Sequence, residues 1–146
     1  MKGIIINMKE LLIDAKTENL DAVLDFVAGE IEGVSAKLQT QIAIAVEEIF
    51  VNIASYAYRS SEGTVSSEGG VVIRIAVGDE ILIEFEDKGT PYNPLEKEDP
   101  NLTLSAEERE VGGLGIFMVK KIMDAVEYRR EGNKNLLTIR KSTVDG

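Results

Sequence analysis

The chain has 146 residues, 44% of them hydrophobic and 29% charged, with a formal net charge of -10 and neither cysteine nor histidine. That is one domain's worth of ordinary globular composition, enough to bury a core. The charge argues against a nucleic-acid partner, whose phosphates need Lys and Arg. The missing side chains exclude disulfides, thiolate or His-ligated metal sites, a Ser-His-Asp triad and a phospho-histidine relay within this chain.

A single nucleotide stays compatible with this charge, because Mg²⁺ and backbone amides can carry its recognition. Any acid–base chemistry falls to Asp, Glu, Lys or Tyr. No apolar run reaches membrane-spanning length and no signal-peptide pattern opens the chain, so a cytoplasmic protein is the simple reading. Met1 and Met8 are both candidate starts. Residues 1–7 read as an extra N-terminal segment in which Ile4–Ile6 has strand character.

Leu11, Ile13 and Ala15 alternate with Glu10, Leu12 and Asp14, which predicts a strand. Thr17 is placed to cap a helix striped by Leu20, Val23, Leu24, Val27 and Ile31. Gly33 ends that helix and Ser35 caps a longer one. Its apolar face is Leu38, Ile42, Ala45, Val46, Ile49, Ile53 and Tyr56.

Residues 60–70 read as a Ser/Gly/Glu-rich loop. Two strands follow, turning at Gly78-Asp79, with Val71, Ile73, Ile75 and Val77 facing the same side as Ile81, Ile83 and Phe85. Residues 90–111 hold all three prolines and many acids. A loop of that length inside a compact domain is more often functional than idle. A helix is expected from about Gly113 to Ala125, with Ile116, Val119, Ile122 and Met123 inward, then strands near 126–130 and 135–141 turning at Gly132-Asn133. The fold class is α+β: a two-layer sandwich with a mixed, mostly antiparallel sheet covered on one face by about three helices. Glu84 and Glu86 fall on its other face. Residues 1–146 read as a single domain.

Three blocks carry chemistry. Glu48 and Asn52 lie one turn apart on the long helix, bordering its apolar stripe. An Asn amide oxygen suits Mg²⁺, and a carboxylate one turn away can orient or deprotonate a hydroxyl. The plain alternative is a solvated helix edge. Asp87 continues the inward register of Ile81, Ile83 and Phe85, so its carboxylate points toward the helices and needs donors. The exocyclic amine of adenine is one candidate, with Gly89 letting a flat base approach the backbone. The alternative is turn chemistry, which Asp-Lys-Gly-Thr-Pro also suits. Gly112-Gly113-Leu114-Gly115 opens a helix, where free N–H groups and the dipole favour phosphate. A flexible hinge is its alternative. The block matches neither a P-loop nor a dinucleotide fingerprint.

The order and spacing of Ala45-Val-Glu-Glu-Ile-Phe-Val-Asn52, Asp87-Lys-Gly-Thr-Pro-Tyr-Asn-Pro94 and Gly112-Gly-Leu-Gly-Ile-Phe-Met-Val119 resemble the GHKL ATPases. That superfamily holds gyrase, heat-shock chaperone, histidine kinase and mismatch-repair ATPases. Within it the chain is most similar to the small bacterial anti-sigma factors that are also serine protein kinases. The resemblance runs from about Met8 to Lys141. It implies Glu48 as catalytic glutamate and Asn52 as Mg²⁺ ligand. It also implies Asp87 with Gly89 as the adenine reader, and Gly112, Gly113, Leu114 and Gly115 as the phosphate-contacting helix start. The 92–111 loop would be a lid over ATP, with Arg109 near its end reaching the γ-phosphate. Two departures stand out. Pro91 replaces a frequent second glycine. Asn135 and Leu136 occupy the place of a threonine that often supports the adenine-reading aspartate, with Thr138 close by.

The resemblance implies an ATP-dependent serine/threonine protein kinase and anti-sigma factor, with ATP and Mg²⁺ as cofactors. Its partners would be an anti-anti-sigma (STAS-type) protein and a sigma factor, with no nucleic acid or membrane, and it would be a homodimer. Three other readings stand beside it: a binding module using ATP as a structural ligand, the catalytic half of a histidine kinase, and an unrelated sandwich without ligand. No phospho-acceptor region is present in this sequence, which ranks the second of these low.

Overall fold

The computed structural model describes residues 8–58, 69–96 and 114–144. In chain order they form β1 Lys9–Asp14, α1 Leu20–Glu30, α2 Ala36–Tyr56, β2 Gly70–Val77, β3 Glu80–Asp87, α3 Leu114–Ile122, β4 Ala125–Glu131 and β5 Lys134–Ser142. The strands make one sheet in the order β1-β2-β3-β5-β4. Each neighbouring pair is antiparallel, so the described sheet is not mixed. The α+β sandwich expected from the sequence is the observed fold. The expected 60–70 loop and the Ile4–Ile6 strand lie wholly or mostly outside the described residues.

Alternation builds the core. Val71, Ile73 and Ile75 of β2, Ile81, Ile83 and Phe85 of β3, and Leu137 and Ile139 of β5 are all buried on one sheet face. Val23 and Val27 of α1, Ile42, Val46 and Ile49 of α2, and Ile116 and Val119 of α3 close over them. The α2 stripe is broader than its spacing suggested, because Phe50 and Ala54 are also buried. α2 touches both α1 and α3 as well as covering the sheet, so a central helix buries a wider arc than a flanking one.

Local chemistry sets most boundaries. Ser35 caps α2, its Oγ accepting from the Leu38 N–H at 3.2 Å. Thr17 does not cap α1. Thr17–Asn19 forms a single 3-10 turn, and Asn19 precedes the helix without capping it through its side chain. The Asn19 amide instead donates to the Asp14 carbonyl at 3.0 Å, fixing the turn to the end of β1. α3 ends at Ile122, earlier than Ala125. Met123 N–H still bonds Val119 in helical fashion at 2.9 Å, but Asp124 N–H turns to the Arg140 carbonyl at 2.9 Å. The chain thus passes directly from helix to sheet. Gly132 has φ +58 in the β4–β5 turn, a conformation that favours glycine.

The register places one row of particular consequence at the sheet's end. Reading across the strands, Ile13, Val71, Asp87, Asn135 and Arg130 are successive partners. The row starts apolar and becomes polar in its last three members. The neighbouring row on the same face, Leu11, Ile73, Phe85, Leu137 and Tyr128, is apolar but for one hydroxyl.

Candidate functional site

Asp87 ends β3 on the helix-facing side and is 5% exposed. The Gly89 N–H and the Asn135 Nδ2 both donate to its Oδ1, each at 2.9 Å. Among the described residues no donor reaches Oδ2. Burial pushes the Asp87 carboxyl up from its ordinary value. The bonds from Asn135 and Gly89 and the field of Arg130 pull it down, while Glu86 adds a further push upward.

The carboxylate borders a cleft between the C-terminal half of α2 and the end of the sheet. Ile49, Asn52, Ile53 and Ala57 line one wall, and Leu137, Tyr128 and Asn135 the other. Tyr92 and Pro94 from the segment after β3 close the side, and the Tyr92 ring lies 5.5 Å from that of Tyr56. Apolar walls with one buried acceptor suit a flat, partly apolar ligand that carries a donor at its edge. An exocyclic amine of a purine is such a donor.

Gly89 is the reason the turn can lie so close to α2. A Cβ there would stand 2.0 Å from the Ala57 carbonyl oxygen. That oxygen accepts from the Thr90 N–H at 2.8 Å, joining the turn to the helix end. Tyr58 adds a second join. Its hydroxyl accepts from the Lys88 N–H at 3.0 Å and donates to the Gly70 carbonyl.

Asn52 and Glu48 are both half-buried on α2, whereas Glu47 is exposed. Asn52 lines the cleft; Glu48 lies one turn back, against α3. A Cβ on Gly115 would stand 2.1 Å from Glu48 Oε2, so the first turn of α3 rests on that carboxylate. Among the described residues no group of three acids or histidines could hold a metal ion alone. Asn52 with Glu48 nearby fits an ion that brings its other oxygen ligands from phosphates and water, as Mg²⁺ does. Leu114 opens α3. Arg109, Gly112 and Gly113, and the 97–111 part of the expected lid, lie outside the described residues.

Three of the sequence-selected residues, Asn52, Asp87 and Gly89, thus meet around one cleft, and Glu48 with Gly115 lies alongside. Asn135 was marked only as a departure; its direct bond to Asp87 was missed. The signal was its place in β5, but using it needs the pairing of β5 with β3. Thr138 offers no substitute. It faces the other side of the sheet, opposite Glu84 and Glu127.

Fold and cleft together define a two-layer α+β domain with a largely apolar cleft between its central helix and the end of its sheet. The histidine kinase-like ATPase domain family matches residues 13–141, and the chain belongs to that family. Membership makes it an ATP-binding domain at the family level. Among its relatives is the serine/threonine-protein kinase BtrW of Bordetella bronchiseptica, 26% identical over 106 residues, covering 72% of this chain and 71% of the relative. Another is the anti-sigma F factor of Clostridium kluyveri, 28% identical over 106 residues, covering 73% of this chain and 71% of the relative.

Two solved structures share the fold. The RsbU and RsbW domains of a Mycobacterium tuberculosis protein superpose with a TM-score of 0.58 at 15% identity, over 93% of this chain and 32% of theirs. The histidine kinase domain of a blue-light activated kinase from Erythrobacter litoralis superposes with a TM-score of 0.54 at 17% identity, over 89% of this chain and 61% of its own. No helix among the described residues is long and apolar enough to cross a membrane.

Proposed function

We propose that this chain is an ATP-dependent serine/threonine protein kinase that also acts as an anti-sigma factor. The observation that carries the nucleotide assignment is Asp87: a buried carboxylate with one oxygen lacking a described donor, at the edge of an apolar slot. The kinase and anti-sigma parts rest on the two named relatives and on an intact Glu48. We read residues 1–146 as one cytoplasmic domain that works as a homodimer.

In this reading Asp87 Oδ2 accepts from the adenine amine, and Gly89 leaves the base room against the backbone. Asn52 offers its amide oxygen to Mg²⁺, and the start of α3 with Gly112, Gly113 and Gly115 presents N–H groups to the phosphates. Arg109 and the 92–111 lid close over them. Mg²⁺-ATP supplies the γ-phosphoryl group. Glu48 takes the proton from a serine or threonine hydroxyl of a STAS-type anti-anti-sigma partner. That oxygen forms the new bond to phosphorus as the bond to the ADP oxygen breaks. An unphosphorylated partner would compete with a sigma factor for this chain.

The test uses labelled Mg²⁺-ATP, a purified STAS-type protein and the Glu48→Gln variant. ATP affinity should be nearly unchanged, while transfer to the partner falls by roughly 10²–10⁴-fold, the range for losing a positioned base. Wild-type rates in the variant remove Glu48 from that role. If the wild-type chain binds ATP but labels no partner, a non-catalytic, ATP-dependent binding module replaces the kinase.

A further inference from the structure

Every hydrogen-bonding position of Asn135 is occupied by protein. Its Nδ2 donates to Asp87 Oδ1 at 2.9 Å and to the Thr90 carbonyl at 2.8 Å. Its Oδ1 accepts from the Tyr128 hydroxyl, from Arg130 Nη1 at 3.2 Å and from the Tyr92 N–H at 3.4 Å. These partners fix the amide's orientation, since a flipped amide would set its oxygen against the Asp87 carboxylate. The same Arg130 Nη1 donates to the Gly89 carbonyl at 2.8 Å, so it ties the turn beyond Asp87 to the same point.

Asn135 is itself 5% exposed and has no donor left for a ligand. It therefore cannot read the base. It can decide which oxygen of Asp87 does. With Oδ1 occupied by Asn135 and Gly89, Oδ2 alone faces new donors. Without that hold, the carboxylate could rotate about its terminal bond, whose wells are broad.

We propose that Asn135 is the specificity-determining positioning residue of the site: it holds Asp87 by direct side-chain contact, so that one carboxylate oxygen selects a purine with an amine on C6, as in adenine, over guanine, which presents a carbonyl there. Tyr128 and Arg130 hold Asn135 in turn, which makes the two final strands part of base selection. This inference rests on the nucleotide reading of the cleft. It differs from that reading in its predictions.

A merely structural Asn135 would weaken all nucleotides alike. A positioning Asn135 has two further signatures. The first is the ratio of affinities for ADP and GDP with Mg²⁺. The second is pH. The amine bonds the ionised carboxylate, and Asn135 favours that form by donating to it. Removing the donor raises the pH at which Asp87 takes up a proton, so ADP binding should fail at higher pH as the solution is acidified. Among the described residues, the charged and titratable groups around Asp87 are Arg130 and Tyr128 on β4, Tyr92 in the segment after β3, Glu86 and Lys88 beside it in sequence, and Tyr58 after α2. All are retained in Asn135→Ala.

The experiment measures ADP and GDP affinity of wild type, Asn135→Ala and Tyr128→Phe by calorimetry while pH is lowered. For Asn135→Ala the ADP:GDP preference should fall about tenfold, as for loss of a hydrogen bond to a charged group. Its acid limb for ADP should move to higher pH. Tyr128→Phe keeps the ring and loses one donor to Asn135, so it should lower the preference in the same direction, about two- to threefold. If Asn135→Ala weakens ADP and GDP equally with the acid limb unmoved, the inference is wrong. If that variant does not fold, Tyr128→Phe decides: an unchanged preference overturns the proposal. A wild-type chain that binds neither nucleotide overturns the nucleotide reading itself, and this inference with it.

Discussion

β3 carries acids on both of its faces, and the two faces treat them oppositely. Glu84 and Glu86 point away from the helices, where Arg74 Nη1 meets each at 3.0 Å. Lys134 lies 3.6 Å from Glu86, and Arg129 3.9 Å from Glu84. Asp87, the next residue after Glu86, points inward, and among the described residues no Lys or Arg makes an ion pair with it. The Arg130 guanidinium reaches it through Asn135. The outward acids are neutralised and partly wet, so each pair adds little. The inward acid is desolvated, held by neutral donors and left with an oxygen to spare. A group kept at that cost signals a ligand better than any count of charges.

The sharpest way to break this comparison is Asp87→Asn. Burial raises the Asp87 carboxyl, so the folded chain holds that proton more readily than the unfolded chain. Its ionised form therefore subtracts stability, and the loss grows as pH rises from the unfolded value through the folded one. An amide removes this penalty but turns a donor toward the base amine. The melting temperature of the nucleotide-free variant at neutral pH should match or exceed that of wild type, with ADP affinity down about 100-fold. A variant that binds ADP normally, or that melts well below wild type, would place Asp87 among the structural acids.

Much of this contrast was legible in the sequence, because a strand alternates strictly. Once Ile81, Ile83 and Phe85 face inward, Asp87 must follow and Glu84 and Glu86 must not. Glu48 and Asn52 could be paired by helical spacing alone. What stayed hidden depends on neighbours that are distant along the chain. β5 lies between β3 and β4, and only that order sets Asn135 opposite Asp87. Thr138 is close by along the chain, but the register puts it on the other face. Phe50 and Ala54 border the stripe read on α2; their burial follows from α1 and α3 flanking that helix. Thr17 has good capping chemistry, but Asn19 ties the chain to β1 first.

The joint between the two layers gives a second, smaller test. Gly89→Ala sets a methyl 2.0 Å from the Ala57 carbonyl oxygen, a backbone atom at the end of α2 that cannot swing aside. The turn must shift, at a cost of about 1–3 kcal/mol in a denaturant titration. The Gly89 N–H would move off Asp87 Oδ1, so ADP affinity should also fall, by about tenfold. Unchanged affinity beside reduced stability would mean that the turn packs the fold without aiming Asp87.

The smallest effect belongs to the outer face. Arg74 is 25% exposed in its side chain and links Glu10, Glu84 and Glu86 across three strands. Arg74→Gln removes all three pairs and keeps a side chain able to donate. Lys134 and Arg129 remain near Glu86 and Glu84, and solvent screens the rest. The loss of stability should be about 1 kcal/mol at low ionic strength and should shrink as salt is added. ADP affinity should stay within about twofold of wild type, since no atom of this ladder touches the cleft, and a twofold change is about 0.4 kcal/mol. The two measurements probe different claims. A stability loss that ignores salt would show that Arg74 acts by packing its stem against the sheet rather than by charge. A fall in ADP affinity as large as that of Gly89→Ala would show that the sheet transmits strain from one face to the other. In that case the two sets of acids on β3 could no longer be assigned separate roles.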